Sequence, residues 1–169
     1  MIIGHGDIAT ALKEIDHDDR IFFASGVSNS RETRQSEFWR EKHLLMQCDA
    51  QKQIVYFSSF AVFYAGTAYA SHKREMERIV KTFPRWTIVR LGNIDFGNNP
   101  HTLINYLRAR KAAGERLEIQ DTYRYVVDND EFLYWVKMIP AWPCEMNIPG
   151  RRLTVQQIVD EYVNGQTLA

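Results

Sequence analysis

Short runs of apolar, β-branched and aromatic residues alternate with segments of helical periodicity, and this alternation constrains the fold more than any other feature of the sequence. The first four runs are Met1–Ile3, Ile21–Ala24, Ile54–Ser58 and Thr87–Leu91. Each run has the length and composition of a buried strand. Strands that alternate with helices predict an α/β fold with a mostly parallel sheet.

The stretch from Ile54 to Lys73 contains the most informative candidates for chemistry. Ser58 and Ser59 follow an apolar strand, at the end of the strand where open α/β sheets place their ligands. Tyr69 and Lys73 lie four residues apart in a segment with helical character, which puts their Cβ atoms about 5–6 Å apart on one face. This combination predicts a proton-transfer site. Taken alone, the Tyr-x-x-x-Lys pattern is also typical of an amphipathic tyrosine and a solvated lysine.

A glycine-rich turn follows the first run. The sequence Gly4-His5-Gly6-Asp7-Ile8-Ala9 has the pattern G-x-G-x-x-A between a predicted strand and a predicted helix. Such glycines let a phosphate approach the backbone N–H groups at a helix N-terminus. A glycine turn without a ligand explains the same residues, and the Asp7 carboxylate would repel a phosphate unless it points away or caps the helix. Both interpretations stay open.

The second run lacks the acidic residue of a standard dinucleotide site. A carboxylate is expected about 20 residues after the glycines, where it binds the adenosine ribose. That place contains the sequence Ala24-Ser25-Gly26-Val27-Ser28-Asn29. We therefore expect any dinucleotide to be held less tightly than usual.

Helix and strand boundaries follow from caps and periodicity. A helix capped by Ser28 or Ser30 should reach about Cys48, with Phe38, Leu45 and Met46 directed inward. Its charged residues are expected on a solvated face: Arg31, Glu32, Arg34, Glu37, Arg40, Glu41 and Lys42. We also expect a charged turn over 16–20 and short strands at 117–119 and 146–148. One further helix should cover about 101–112, and another should end at Lys137. A capping box is expected at Thr154–Gln157.

Composition and charge narrow the classes of function. The 169 residues suit one domain with its own core. Lys+Arg and Asp+Glu both total 21, so net charge favours neither nucleic acid nor a membrane as partner. Cys48 and Cys144 are the only cysteines, and the five histidines are scattered. We therefore expect no metal site and a reducing, cytoplasmic location.

A series of landmarks in order resembles the extended branch of the short-chain dehydrogenase/reductase superfamily, the NAD-dependent sugar-nucleotide epimerases and dehydratases. The landmarks are Gly4-x-Gly6-x-x-Ala9, Ile21-Phe-Phe-Ala-Ser-Gly, Tyr56-Phe-Ser-Ser-Phe-Ala-Val-Phe, Tyr69-x-x-x-Lys73, Val89-Arg-Leu-Gly-Asn-Ile-Asp-Phe-Gly, Tyr125-Val-Val-Asp-Asn-Asp and Asn147-Ile-Pro-Gly. The resemblance implies a reduced Rossmann-like fold with about five mostly parallel strands and helices on both faces. It also implies a single domain over 1–169, with a small substrate-side portion over about 117–169.

The resemblance implies that the chain is shortened. The family has two more strands between the first helix and the strand matched by Ile21–Ala24, and these strands have no counterpart here. The first strand then becomes a sheet edge, and half of the dinucleotide crevice lacks a wall. Because open edges invite pairing, and because the family dimerises through helices matched by about 30–48 and 67–82, we expect a homodimer or higher homo-oligomer. In addition, Glu41-Lys42-His43 stands where the family has an Asn-Val pair.

The resemblance also implies roles for individual residues. Tyr69 would be the general acid/base, Lys73 would tune it and hold the nicotinamide ribose, and Ser59 would bind the reacting oxygen. Ser58 is the second choice for that role, and Asn93 would contact the substrate. NAD or NADP would contact Gly4, Gly6, Asp7, Ile8, Ala24, Ser25, Tyr69 and Lys73.

Three functions stay open from the sequence. The first is an NAD(P)-dependent epimerase/dehydratase-like oxidoreductase, in which proton transfer by Tyr69, Lys73 and Ser59 is coupled to hydride transfer on a nucleotide-sugar. The second is a non-catalytic descendant that binds a nucleotide-sugar or serves in assembly. The third is a fragment whose missing strands come from another chain.

Overall fold

The computed structural model of this chain describes residues 1–15 and 19–166. The strands are β1 Ile2–Ile3, β2 Arg20–Phe23, β3 Gln53–Ser59, β4 Trp86–Leu91, β5 Asn93–Ile94, β6 Tyr123–Val127, β7 Cys144–Ile148 and β8 Arg151–Thr154. The helices are α1 Asp7–Ala11, α2 Gln35–Met46, α3 Ala61–Tyr64, α4 Ala68–Val80, α5 Leu103–Ala112, α6 Asn129–Lys137 and α7 Val155–Ile158. A 3₁₀ turn, Leu12–Glu14, continues α1, and a π-helical turn, Val159–Val163, continues α7. A membrane span would need a longer and more apolar helix than any that the described residues form.

The main sheet has five parallel strands in the order β1-β2-β3-β4-β7. This arrangement confirms the predicted mostly parallel α/β fold. It also places β1 at an edge among the described strands, as the shortened pattern predicts. A second sheet has the order β5-β6-β8, with β5 parallel and β8 antiparallel to β6.

Helices cover both faces of the main sheet because alternate strand residues point in opposite directions. On one face, Phe22 and Val55 pack against Leu12, which follows α1, and against Phe132 of α6. On the other face, strand residues pack against α2 and α4: Ile21, Phe23, Ile54, Tyr56 and Ile88 meet Leu45, Met76 and Val80. The predicted two-sided arrangement is therefore confirmed.

The first two crossover connections of the sheet have opposite hands. Strands β1, β2 and β3 are parallel and follow one another in a single direction across the sheet. The segment from α1 to Ile15 lies on one face, whereas α2, which joins β2 to β3, lies on the other. Helix α4, which joins β3 to β4, lies on the same face as α2, so these two connections share one hand. Crossovers are right-handed in about 98% of cases, and the α1 connection has the opposite hand. The unusual hand occurs at the point where the resemblance places the missing strands.

Helix α2 begins later than predicted. Glu32 accepts hydrogen bonds from the backbone N–H groups of Thr33 and Arg34, at 3.0 and 2.9 Å. These bonds form a turn that delays the helix until Gln35, and Arg34 occupies the N-cap position without a side-chain hydrogen bond. The predicted caps at Ser28 and Ser30 are therefore wrong.

Two further assignments on α2 are wrong. Met46 is 61% exposed, whereas Glu41 is 0% exposed instead of lying on a solvated face. The buried stripe consists of Phe38, Glu41 and Leu45, at positions i, i+3 and i+7. Met46 lies beside this stripe and turns away from the sheet.

Several smaller predictions can also be compared with the structure. The strand expected at 146–148 is part of β7, and Thr154 forms the capping box with Gln157. The strand expected at 117–119 does not form, and Ile119 is 42% exposed. Helix α3 and strand β8 were not predicted. Residues 16–18 of the expected charged turn lie outside the described residues.

Candidate functional site

A cleft lies at the carboxyl ends of β1 to β4 and has a volume of about 1230 Å³. The glycine turn, the loops after β2 and β4, and helices α4 and α5 contribute to its walls. The cleft brings together ten residues predicted from the sequence: Gly6, Asp7, Ile8, Ala24, Ser25, Ser58, Ser59, Tyr69, Lys73 and Asn93. Gly4, which was also predicted, is not among the residues that line the cleft. It lets the chain after β1 approach the chain after β2. It has φ +131°, and a Cβ there would lie 2.4 Å from the Ala24 carbonyl oxygen.

Tyr69 is placed by the start of α4, where the Thr67 side chain accepts a hydrogen bond from the Ala70 N–H at 3.2 Å. The Tyr69 ring is buried against Val27 and Phe38 and lines the cleft. Within residues 1–15 and 19–166, no hydrogen bond to the Tyr69 hydroxyl forms. That hydroxyl is therefore available to a ligand.

Two other polar side chains complete this end of the cleft. The Ser59 hydroxyl accepts a hydrogen bond from the backbone N–H of Ala61 at 3.2 Å, which fixes it at the end of β3. The Asn93 amide donates to the Tyr125 carbonyl oxygen at 2.9 Å. Each of these groups retains hydrogen-bonding capacity for a ligand.

Lys73 borders the cleft but is only 2% exposed, because its charge is held inside the protein. The Lys73 Nζ atom donates to Glu41 Oε1 and to the Tyr56 hydroxyl, both at 3.0 Å. Glu41 also accepts from the Tyr56 hydroxyl at 2.7 Å and lies 3.0 Å from His72 Nε2. The backbone N–H of Val27 donates to its second oxygen at 2.7 Å. We call these four side chains, Glu41, Tyr56, His72 and Lys73, the Glu41 cluster.

The electrostatics of the Glu41 cluster favour a permanent carboxylate. Burial by itself raises the pKa of Glu41, but the Lys73 charge and the hydrogen bonds from His72, Tyr56 and Val27 outweigh burial and lower that pKa to about 2. Burial, followed by the Glu41 charge, raises the pKa of Tyr56 well above its ordinary value. Tyr56 is therefore a neutral hydrogen-bonding group, and Glu41 with Lys73 is an ion pair.

The loop after β2 packs directly on this ion pair. A Cβ at Gly26 would lie 2.7 Å from Lys73 Nζ and 3.1 Å from Glu41 Oε1. The glycine therefore allows the backbone to pack directly on the two charged groups. This contact explains why a lysine at the cleft wall has almost no exposed surface.

Ser58 faces a second cluster of charged side chains. Its hydroxyl donates to Glu77 Oε1 at 2.7 Å, and Arg90 binds both Glu77 oxygens at 2.9 and 2.7 Å. Arg90 also pairs with Glu145 at 2.7 Å. We call Ser58, Glu77, Arg90 and Glu145 the Glu77 cluster. The structure thus separates the two neighbouring serines, since Ser59 faces the cleft and the hydrogen bond of Ser58 is made inside the protein.

The glycine turn is tied to the loop after β4. The two Asp7 carboxylate oxygens accept hydrogen bonds from the backbone N–H groups of Asn98 and Asn99, at 3.0 and 2.9 Å. Gly97, with φ +83°, allows this contact, because a Cβ there would overlap the Asp7 side chain. Asp7 therefore stabilises the fold at this point, and α1 behind it has only five residues.

A whole NAD(P) molecule does not fit the residues present. Gly6 leaves open space above the turn, since a Cβ there would meet nothing within 4 Å. At the ribose position, however, the chain has Ala24 and Ser25, and the Ser25 hydroxyl and carbonyl are bound by Arg40 at 3.1 Å. Strand β1 is at the sheet edge, so the adenosine half has no wall of described residues, and Lys73 is held by Glu41. The residues present therefore do not fit a whole dinucleotide, although the Tyr69 and Ser59 hydroxyls line the cleft.

The comparisons with known proteins support the fold. No family model matches the sequence, and no curated protein matches it. Solved structures do match: the Bordetella bronchiseptica enzyme WbmG in complex with NAD and UDP has a TM-score of 0.67 and 13% identity, over 89% of this chain and 58% of that one. A UDP-galactose 4-epimerase has a TM-score of 0.64 and 16% identity, over 94% and 65% of the two chains.

A third match is dTDP-4-dehydrorhamnose reductase from Bacillus anthracis in complex with NADP, with a TM-score of 0.59 and 14% identity, over 95% of this chain and 67% of that one. The chain therefore shares the Rossmann-like fold of these three structures. The chain spans about 44 to 58% of the length of the first structures that it matches.

Proposed function

We propose that this chain binds a nucleotide-sugar in the cleft beside Tyr69, as a binding or assembly module whose role does not depend on NAD(P). The observation that carries the proposal is the buried Glu41–Lys73 ion pair, with 3.0 Å between Nζ and Oε1. It withdraws from the cleft the cation that the family resemblance assigns to proton transfer and to the nicotinamide ribose.

The size of the electrostatic effect supports a binding role over catalysis. Lys73 Nζ lies 5.8 Å from the centre of the Tyr69 ring. A lone cation at that distance would stabilise a phenolate by about 3 kcal/mol at an effective dielectric of 20. The Glu41 carboxylate, bound directly to the same ammonium group, offsets most of that stabilisation. Tyr69 is left as a hydrogen-bonding group without strong activation.

The cleft itself supports a ligand of nucleotide-sugar size. Its volume of about 1230 Å³ exceeds the ~300–1,000 Å³ of typical small-molecule pockets. Its walls combine hydroxyl and amide groups with aromatic and cationic side chains, a set that suits sugar, base and phosphate groups. The WbmG structure that this chain resembles holds UDP together with NAD.

Isothermal titration calorimetry with UDP, a panel of UDP-sugars, NAD and NADP tests the proposal. We expect UDP or a UDP-sugar to bind, and NAD and NADP to show no saturable heat at millimolar concentration. Binding of NAD or NADP with no binding of any UDP compound would contradict the proposal.

The second candidate is an NAD(P)-dependent epimerase/dehydratase-like oxidoreductase of a nucleotide-sugar. The observation that favours it is the presence of the Tyr69 and Ser59 hydroxyls on the wall of one cleft with Gly6. Incubation of the chain with a nucleotide-sugar and NAD or NADP, followed by NMR of the sugar, tests this candidate. Turnover that Tyr69→Phe abolishes, and that the exposed control Tyr134→Phe leaves intact, would establish this candidate and overturn the binding-module proposal.

The assembly proposal includes a homodimer or higher homo-oligomer. The outer surface of α2 supports it, because Trp39 and Met46 are 66% and 61% exposed there and large exposed apolar side chains mark contact surfaces. Light scattering coupled to gel filtration measures the mass directly. We expect at least twice the chain mass for the wild type and a lower mass for Trp39→Glu/Met46→Glu, whereas a monomeric wild type would refute the dimer.

A further inference from the structure

Two arginines lie close to one tyrosine ring in the wall of the cleft. Arg31 comes from the segment between β2 and α2, whereas Tyr106 and Arg110 come from α5, and all three line the cleft. The guanidinium carbons of Arg31 and Arg110 lie 5.2 and 5.6 Å from the centre of the Tyr106 ring. Arg110 also donates to the Tyr106 hydroxyl at 3.1 Å. Two separate parts of the chain thus bring positive charge to one place.

Only one of the two guanidinium groups has a carboxylate partner among the described residues. Arg110 pairs with Glu115 at 2.6 Å. The carboxylate next to Arg31 in sequence, Glu32, is occupied by Arg34, which binds both of its oxygens at 2.9 and 2.7 Å. Arg31 forms no ion pair and no side-chain hydrogen bond in the part of the chain that the structure describes. Its charge is balanced only by the face of an aromatic ring, which is a weak partner worth roughly 0.5–1 kcal/mol at an exposed site.

The segment that carries Arg31 is ordered by its own hydrogen bonds. The Arg31 backbone N–H donates to the Asn29 side-chain oxygen at 3.0 Å, and the Glu32 N–H donates to the Asn29 carbonyl at 3.0 Å. The bonds from Thr33 and Arg34 to Glu32 continue the same turn. Arg31 therefore projects from a fixed turn, which lowers the conformational entropy that a ligand would have to overcome.

We infer that Arg31, held on the Tyr106 ring near Arg110, binds the diphosphate group of a nucleotide-sugar in the cleft. A guanidinium group offers two parallel N–H donors that match phosphate oxygens. A diphosphate supplies the anionic partner that Arg31 does not have among the described residues, and the Tyr106 ring keeps the guanidinium plane in place. This assignment rests on the proposed function, since it names the part of the nucleotide-sugar that the arginines recognise.

Calorimetric titrations of the full chain with UDP, uridine and inorganic pyrophosphate test the inference. Wild type is expected to bind UDP at least tenfold more tightly than uridine, because uridine lacks the phosphates. Arg31→Gln should weaken UDP binding by about ten- to hundredfold, the range for one charge-assisted hydrogen-bonding group, and leave uridine binding unchanged. Arg31→Lys should give an intermediate loss, because it keeps the charge and loses the paired donors.

Arg78→Gln is the matched control, because Arg78 is an exposed arginine of α4 that does not line the cleft. It removes the same charge and should leave UDP binding at the wild-type value. If Arg31→Gln and Arg78→Gln both bind UDP as wild type does, or if uridine binds as tightly as UDP, the diphosphate assignment is wrong and the binding function stands. If wild type binds none of the UDP compounds or pyrophosphate, the proposed function falls and this inference falls with it.

Discussion

The Glu41 cluster and the Glu77 cluster each hold one residue of the predicted active site, and they hold it in different ways. Glu41 is fully buried and forms an ion pair with Lys73, which is its counter-charge. Glu77 accepts a hydrogen bond from Ser58 and pairs with Arg90. Arg90 also pairs with Glu145, whose side chain is 36% exposed. The first cluster removes a charge from the cleft, and the second removes only a hydroxyl. The comparison shows that Lys73 offers the cleft no unpaired charge, whereas the Tyr69 and Ser59 hydroxyls remain on the cleft wall.

The largest expected effect is that of Glu41→Gln. The variant leaves the Lys73 ammonium buried without a counter-charge, and loss of one partner from a buried pair costs about 3–5 kcal/mol. Urea denaturation at neutral pH measures the free energy of unfolding by linear extrapolation. The control is Glu37→Gln on the same helix, whose pair with Arg40 (3.1 Å) is partly exposed and should contribute less than about 1 kcal/mol.

A double variant distinguishes loss of the ion pair from a general destabilisation of α2. Lys73→Met removes the unpaired charge, so the double variant Glu41→Gln/Lys73→Met should recover part of the lost stability. If the double variant is as unstable as the sum of the two single variants, the ion pair is not what stabilises this cluster.

The next effect is the pH dependence of stability. Because the pKa of Glu41 in the folded chain is about 2, below its ordinary value of 4.5, the folded state favours the carboxylate. The resulting stabilisation is complete above about pH 4.5 and falls as the pH approaches 2. It amounts to about 3 kcal/mol.

Urea midpoints measured for wild type and Glu41→Gln between pH 2.5 and pH 7, roughly the range in which carboxylates titrate, test this dependence. Wild type should lose stability more steeply on acidification than the variant does. Parallel curves for the two proteins would show that other carboxylates govern the acid transition.

Glu77→Gln should have a smaller effect than Glu41→Gln. Arg90 keeps Glu145 at 2.7 Å, and that partner is solvent-accessible, so the guanidinium charge stays compensated. We expect a loss of about 1–3 kcal/mol, the range for a buried hydrogen-bonding group that loses a charged partner. The same urea titrations give the free energies of unfolding of the two variants. If Glu77→Gln loses as much stability as Glu41→Gln or more, the comparison between the two clusters is wrong.

The sequence was sufficient to predict the parallel sheet and ten of the residues that line the cleft. Strands such as Ile21–Ala24 and Ile54–Ser58 are recognisable because β-branched and aromatic residues fill them, and this composition is set locally. Ser59 and Tyr69 could be placed because a strand end and a helix with a known start fix their positions. The edge position of β1 followed from the order of landmarks along the chain.

The burial of the Lys73 charge could not be predicted from the local pattern, because it depends on Glu41, which lies 32 residues earlier in the chain. Sequence reasoning treated Glu41 as one of many surface charges. A signal was present, since Glu41 lies in register with Phe38 and Leu45, which were both predicted to be inward. A carboxylate within an apolar stripe requires a buried cation, and that requirement could have led to Lys73. Arg31 and Tyr106 carried no such signal, since their contact depends on how α5 is positioned against the loop after β2.

The smallest effect separates the two neighbouring serines. Ser58→Ala removes the 2.7 Å hydrogen bond to Glu77 and should lower the free energy of unfolding by about 1 kcal/mol without changing UDP affinity. Ser59→Ala should do the reverse, because the Ser59 hydroxyl faces the cleft and its protein contact is one backbone N–H at 3.2 Å. Urea denaturation and calorimetry on both variants give the four values. If Ser58→Ala weakens UDP binding as much as Ser59→Ala does, then the hydrogen bond to Glu77 does not keep Ser58 from the ligand. The contrast between Ser58 and Ser59 is then wrong.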